Sequence, residues 1–487
     1  MEHRAVERKG TTMTSAKTAQ PRADEDAGTV TPDEGYRRGL SARQIQMMAI
    51  GGAIGTGLFY GSSTGIAKVG PSLLACYAAA GIVIFFVMRA LGELLTYRPT
   101  SGSFADYARE FCGPFAGFVT GWSYWAAWVA ACMAEVTAAG HYIAYWWPAV
   151  PVWATAAGAL IVLFVANLVS VALFGELEFW FATVKVVAIT ALIVIGVGVL
   201  TFGFSALGQG ASIRHLWADG GFAPHGAWQT MAAMQGVVFA YLGIELIGLT
   251  AGEAENPKQT LRKAINTLPV RIAVFYIGAL VILLSVLSWT KYTPGVSPFV
   301  QVLAQVGIPG AAGIMNFVVL TAALSSCNSG MYSASRMVRG LAVNGEAPKV
   351  MRNLSNRHLP LPALVLSTLV MAIGVVVNVV SPDKAFVYVT SVSACAGLWT
   401  WAVILVAHLR YRSRARAGLL PAVDFRMPGA PVTNWIALAA LAFVIVLMAA
   451  SSDTRLGLYV WAVWCTILTI GYQATKRRAP QPDPARR

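Results

Sequence analysis

Residues 51–59 read Gly51-Gly52-Ala53-Ile54-Gly55-Thr56-Gly57-Leu58-Phe59, four glycines within seven residues in the middle of an apolar run. A helix crossing hydrocarbon satisfies its backbone internally, so a glycine cluster at mid-span frees N–H and C=O groups that need a cavity, protein or ligand as partner. The other reading is a small-residue face that lets two helices approach closely. A dinucleotide loop is excluded, because the spacing is not GxGxxG and no strand–helix–strand unit surrounds it.

The rest of the chain supplies the hydrocarbon. Of 487 residues, 56% are apolar and 12% charged, a balance that places the chain in the membrane class. Breaks rich in charge, Gly and Pro divide it into twelve apolar segments, at about 43–66, 71–96, 114–142, 150–172, 177–202, 228–252, 265–290, 308–341, 361–381, 385–408, 432–451 and 455–475, each near the roughly 20 residues that a spanning helix needs. The expected fold is all-α and integral to the membrane, with twelve transmembrane helices. Residues 1–40 are polar and charged without an apolar run, which predicts a disordered tail rather than a signal peptide.

The net charge of +14 does not point to nucleic acid, because the basic residues lie between the apolar segments. Of the 36 Lys and Arg, only Lys68, Arg214, Lys291, Lys384 and Arg455 fall on one side and Lys185 lies inside a segment; the remaining 30 fall on the other side. The positive-inside rule makes that second side the cytosol, with both termini there and the chain in the inner membrane. The six cysteines are scattered through apolar segments without paired spacing, so neither disulfides nor a zinc site is expected.

Segment six is interrupted at a place comparable to segment one: Phe239-Ala240-Tyr241-Leu242-Gly243-Ile244-Glu245 puts a glycine and a carboxylate into an apolar run. Segments one and six open two halves of five helices each. Interruptions in corresponding segments point to a carrier built from inverted repeats, with its substrate near the bilayer midplane. Freed N–H groups in segment one, at the positive end of a half-helix dipole, suit a carboxylate, and freed carbonyls in segment six suit an ammonium. That pairing predicts an amino-acid backbone as the recognised group.

Ionisable residues within spans are costly and read first as functional. Lys185 lies deep in segment five; it is either a snorkelling side chain or, since a lysine withdrawn from water titrates readily, a carrier of a transported proton. Glu135 in segment three and Glu245 at the segment-six break would bind an ammonium, relay a proton or pair with a neighbouring donor. Glu93 reads as an interfacial partner of Tyr97 and Arg98, and Glu176 and Glu178 as acids complementing the start of segment five. The polar run Thr321, Ser325, Ser326, Asn328 and Ser329 in segment eight either bonds across helices or lines the substrate path. No Ser/His/Asp, metal-ligand or nucleotide constellation stands out, so an enzyme is not expected and neither is a cofactor.

The stretches GLSARQIQMMAIGGAIGTGLFYGS at 39–62, MRALGELLTYRPTSGSFADYARE at 88–110, FGELEFWFATVKVVAI at 174–189, GIELIGLTAGEAENPKQ at 243–259 and NFVVLTAALSSCNSGMYSASRM at 316–337 resemble, in order and spacing, the amino-acid transporters of the amino acid, polyamine and organocation superfamily. The resemblance spans about residues 36–475. It implies a LeuT-like five-plus-five core over 41–410, a linker and two further helices over 411–475, a basic cytosolic tail over 476–487, and import of a neutral amino acid driven by protons. By the same resemblance Ala53, Gly55, Thr56 and Gly57 match the family's carboxylate-binding break, and Phe239 matches an aromatic that covers the substrate. The carbonyls of Phe239, Ala240 and Leu242 would meet the ammonium, and Lys185 would stand where sodium-driven members of the fold hold an ion. The stretches DEGYRRGLSARQIQMMAIGGAIGTGLF and DFRMPGAPVTNWIAL look like L-asparagine permeases. SIRHLWADGGFAPHG, NTLPVRI and SSDTRLGL are similar to carriers of D-serine, D-alanine and glycine, and Met133-Ala134-Glu135 resembles carriers of other neutral and aromatic amino acids. An exchanger of the same fold and a membrane sensor are the competing readings.

Overall fold

The computed structural model describes residues 54–100, 103–168, 171–203, 210–246, 248 and 257–478. Residues 1–53, including Gly51, Gly52 and Ala53, lie outside that set, as do the end of segment six at 247 and 249–252 and the tail over 479–487.

Among the described residues there is no strand. The long helices are α1 (Ser62–Val69, entered through the π-helical turn Gly57–Gly61), α2 (Leu73–Tyr97), α3 (Pro114–Ala144), α4 (Val152–Asn167), α5 (Val171–Phe202), α6 (Met234–Tyr241), α7 (Leu268–Val286), α8 (Ala311–Val343), α9 (Leu361–Val380), α10 (Ala385–Arg416), α11 (Val432–Ala450) and α12 (Arg455–Arg478). Eight stretches among the described residues are long and apolar enough to cross a membrane. Gly57–Tyr97 enters that set as one stretch, and α4 is apolar but only 16 residues long. α3 runs for 31 residues yet is rich in Trp, Tyr, Thr and Gly, and α6 is cut short by its break.

Local sequence sets the helix ends. Gly113, at φ +104, turns the chain into α3, whose first residue is Pro114, a position where the missing N–H costs nothing. Gly70, at φ +62, makes the corner between α1 and α2, and a Cβ there would stand 2.8 Å from Pro224. Short helices also fall where no apolar segment was expected, among them Ser103–Tyr107, Ala108–Cys112, His215–Ala218 and Pro298–Val306.

The apolar faces sort the helices into a centre and a rim. In α10 the most apolar window is 78% buried and in α8 61%, against 28% in α5 and 11% in α12. α3 packs most extensively on α8 and α10. The rim helices turn Ile161, Val194, Leu369, Val446 and Ile470 outward, an apolar surface too broad for water and suited to lipid. α3 runs from the end carrying Arg109 to the end carrying His141, and α2, α8 and α10 run the opposite way, so the bundle has a Lys68 end and an Arg109 end.

Candidate functional site

The break in the first segment is the entrance to the Gly57–Gly61 turn. The Gly55 carbonyl accepts from the N–H groups of Leu58 and Phe59, both at 3.2 Å. The Thr56 N–H points to Glu135 Oε2 on α3 at 3.4 Å, so a carboxyl group already sits at this helix start, where the dipole favours it. The Thr56 hydroxyl is buried and has no hydrogen-bond partner among the described residues. Glycine is required here by close approach. A Cβ on Gly55 would lie 2.7 Å from Glu135 Oε1 and 3.1 Å from Ser326 Oγ, and a Cβ on Gly57 would lie 2.4 Å from the Ala240 Cα. The two interrupted segments therefore touch backbone to backbone. Ala53 lies outside the described residues.

The second break follows α6. Leu242 is extended at ψ 143 and Gly243 takes φ +98, a conformation that a side chain resists. Glu245 folds back on this break, accepting from the Gly243 N–H at 3.2 Å and from the Trp401 indole N–H at 3.3 Å. Its carboxylate does for the interrupted backbone what a capping residue does for a helix end. The Phe239 carbonyl accepts from the Leu242 N–H at 3.1 Å and the Ala240 carbonyl from the Tyr276 hydroxyl at 3.2 Å. Each keeps one lone pair for a further donor. The Leu242 side chain packs so closely on α10 that a Cβ on Gly397 would meet it at 2.2 Å.

Between the two breaks lies a cavity of about 20 Å³, lined by Gly55, Gly57, Trp128, Glu135, Phe239, Ala240, Leu242, Glu245 and Ser326. That holds one water and no amino acid. A second cavity of about 330 Å³ opens at the Lys68 end, lined by Lys68, Tyr77, Phe239, Phe386 and Asp453 among others. Phe239 lines both, so its ring is the partition between them. It rests edge-on against Phe386, with centroids 6.0 Å apart, and Phe386 packs on Tyr60 at 4.7 Å. Lys68 and Asp453 form a 3.1 Å ion pair at the wider cavity's rim.

Lys185 is fully buried on α5, which removes the snorkelling alternative. Its ammonium donates to Ser325 Oγ at 3.0 Å, and the Ser325 hydroxyl faces both Glu178 oxygens at 2.9 Å. Glu178 was expected to complement the start of segment five. Instead α5 begins at Val171 and Glu178, two turns before Lys185 on the same face, is fully buried. The seven-residue interval was the available signal, since residues seven apart share a helix face. Glu176 stays near the surface and accepts from the Trp180 indole at 2.9 Å.

The polar run of α8 divides its labour. Ser326 lines the small cavity, Ser325 joins Lys185 to Glu178, Asn328 accepts from Asn167 of α4 at 2.7 Å, and Thr321 bonds back to the Val318 carbonyl. Glu93 is paired, though not with Tyr97 and Arg98, which take Glu110 instead. It binds His408 Nε2 at 2.9 Å, Arg412 Nε at 2.8 Å and the Met427 N–H at 2.6 Å, tying α2 to α10 and to the approach of α11. At the Arg109 end, Arg109 bridges Asp106 at 2.8 Å and Glu346 at 2.6 Å. Burial pushes the Glu346 carboxyl above its usual range, and the Arg109 guanidinium pulls it back. Among the described residues no group of His, Cys, Asp or Glu is placed to hold a metal ion.

Comparison with known proteins addresses the same stretch of chain. The family model described as amino acid permease matches residues 44–483. The amino-acid permease AapA of Bacillus subtilis (strain 168) is 47% identical over 441 residues, 91% of this chain and 95% of its own length. The uncharacterized amino acid permease YtnA of the same organism is 46% identical over 435 residues, 89% of this chain and 94% of its own. The D-serine/D-alanine/glycine transporter of Escherichia coli (strain K12) is 44% identical over 443 residues, 90% and 94% of the two chains. These matches run through both breaks, Lys185 and the α8 polar run, and the proteins they reach are transporters rather than enzymes. The chain belongs to the amino acid permease family, within the amino acid, polyamine and organocation superfamily.

Proposed function

We propose that this permease imports a neutral amino acid together with protons by alternating access, across the inner membrane and with both termini in the cytosol. The architecture we assign is twelve helices, a five-plus-five inverted-repeat core over 41–410 and two further helices over 411–475, flanked by cytosolic tails at 1–40 and 476–487. The substrate carboxylate takes the N–H groups and the Thr56 hydroxyl at the first break, with Ala53, Gly55 and Gly57 giving it backbone access. The ammonium takes the free lone pairs of the Phe239, Ala240 and Leu242 carbonyls. Glu135, which holds the Thr56 N–H in the closed cavity, yields that donor to the incoming carboxylate and turns to the ammonium. Phe239 and Phe386 shut the site from the outer cavity, and Lys185 changes protonation during the cycle.

The observation that carries this reading is the contact of Gly57 with Ala240: two helix breaks meet beside a pocket, with the unpartnered Thr56 hydroxyl on the first and the Phe239 and Ala240 carbonyls on the second. Such a pair of breaks fits the two charged ends of a zwitterion. The small cavity fits a shut state, since Phe239 must swing before an amino acid enters. The D-serine/D-alanine/glycine transporter among the relatives and the small residues of the lining, Gly55, Gly57, Ala240 and Ser326, favour short neutral side chains over large ones. L-asparagine stands as the second candidate.

The test is a competition panel in sodium-free proteoliposomes that take up one labelled neutral amino acid under an inward proton gradient. Glycine, D-alanine, D-serine and L-asparagine are expected to compete, while the same compounds without their carboxylate or without their amine do not. Equal competition by a decarboxylated amine would sink the zwitterion assignment. Exchange is the second mode, and it is separated by whether uptake needs substrate inside the vesicle.

A further inference from the structure

Glu178 is a buried carboxylate that the proposed transport site does not use. It lies off the substrate cavity, on α5, with Lys185 two turns further along the same face, roughly 10 Å by helix rise. Direct contact between two groups at that spacing is not needed, because Ser325 of α8 stands between them: 3.0 Å from the ammonium and 2.9 Å from the carboxylate oxygens. A serine hydroxyl accepts from one side and donates to the other, which is what a proton relay requires. On the other side, Ser326, next to Ser325 in α8, lines the small cavity together with Glu135. Two consecutive serines of α8 thus face in different directions, Ser325 to the Lys185–Glu178 pair and Ser326 to the cavity whose wall carries Glu135.

We infer that Glu178 is the proton acceptor of Lys185, reached through the Ser325 hydroxyl, and that this triad is the exit limb of the coupled proton. The step balances within the triad. One proton leaves the Lys185 ammonium for Ser325 Oγ while the Ser325 hydroxyl proton passes to the Glu178 carboxylate, leaving a neutral amine, an unchanged serine and a neutral acid. No charge has to be created in the bilayer, since an ion pair becomes two neutral groups. Glu178 then releases the proton toward the start of α5, the end that the topology above assigns to the cytosol. This inference rests on the proton-coupled reading and adds the acceptor to it.

The experiment uses the full chain in proteoliposomes and reads two activities side by side: accumulation driven by an inward proton gradient, and exchange of labelled for unlabelled amino acid at equal pH. In Glu178→Gln, exchange is expected within a factor of about two of the unaltered protein, while gradient-driven accumulation falls at least about tenfold and loses its pH dependence. Ser325→Ala is expected to lose accumulation in the same way and Ser325→Thr, which keeps a hydroxyl, to retain it. Accumulation with an unaltered pH profile in Glu178→Gln would overturn the relay. Loss of exchange together with accumulation in Glu178→Gln would overturn it too, by assigning the triad to packing. If the unaltered protein accumulates substrate without a proton gradient, the proton-coupled reading itself fails, an outcome distinct from either.

Discussion

Gly55 and Gly57 are two residues apart, and both lack room for a methyl group, but what each would strike differs in kind. On Gly57 a Cβ meets the Ala240 backbone, which cannot give way without moving α6. Overpacking of this kind costs about 1–3 kcal/mol, so Gly57→Ala is expected to lower thermal stability in detergent and abolish transport. On Gly55 it meets the end of the Glu135 side chain, which can rotate. Gly55→Ala is expected to keep the fold and raise KM with a smaller change in maximal rate, as Glu135 is pushed toward the substrate's place. Equal melting behaviour of the two variants would contradict the contact of Gly57 with α6. Phe239→Ala removes the partition between the two cavities; it is expected to weaken retention of bound substrate while leaving protein yield unchanged. At this scale the sequence disclosed the glycines, Lys185 and Glu135, because their chemistry is unusual in an apolar run. It did not disclose which serine faces the cavity. Ser325 and Ser326 are consecutive, and only the rotation of α8 against α3 and α5 decides that Ser326 lines the site while Ser325 bridges two charges.

Elements are where sequence reading was strongest, since hydrophobic runs bounded by charge and proline fall within a few residues of the helices observed: α9, α10, α11 and α12 start at the residues where their segments were expected to start. The short helices over 103–112 and the one at Pro298–Val306 escaped it, because they are amphipathic and short, and an apolar-run criterion sees neither property. The same criterion started segment five too late and so turned Glu178 into a terminal residue. Glu93 was misread for a different reason: its partners His408, Arg412 and Met427 are more than 300 residues away in the chain, and no spacing rule reaches that far. Those partners make Glu93 the bolt between α2, α10 and α11. Removing one member of a buried ion pair costs about 3–5 kcal/mol, because it strands the other. Glu93→Ala is therefore expected to destabilise the purified protein strongly, with His408→Ala intermediate, in thermal unfolding followed by fluorescence-detected size exclusion. A Glu93→Ala protein as stable as the parent would remove the bolt.

In the whole molecule, the described helices form a bundle whose centre is polar where the breaks meet and whose rim is apolar where lipid lies. Two features at opposite ends bracket the site. At one, Phe239, Phe386 and the Lys68–Asp453 pair stand between the small cavity and the larger one. At the other, Arg109 clasps Asp106 and Glu346. Carriers that alternate need one end shut while the other opens, and under the alternating-access reading proposed above these two sets are the contacts expected to break in turn. Membership of the permease family accounts for the order of motifs, whereas the choice among the proposed substrates belongs to the lining, which packing sets and sequence periodicity does not encode.

The central claim is that amino acid and proton cross together through the site between the two breaks, with Lys185 carrying the proton. It is tested most directly by recording both fluxes at once in sealed, sodium-free vesicles loaded with a pH-sensitive dye. Addition of a neutral amino acid outside is expected to acidify the lumen of vesicles holding the unaltered protein, in fixed proportion to the amino acid taken up, and to leave the lumen unchanged in Lys185→Ala. Amino acid entry without acidification, or entry that waits for sodium, would contradict the account.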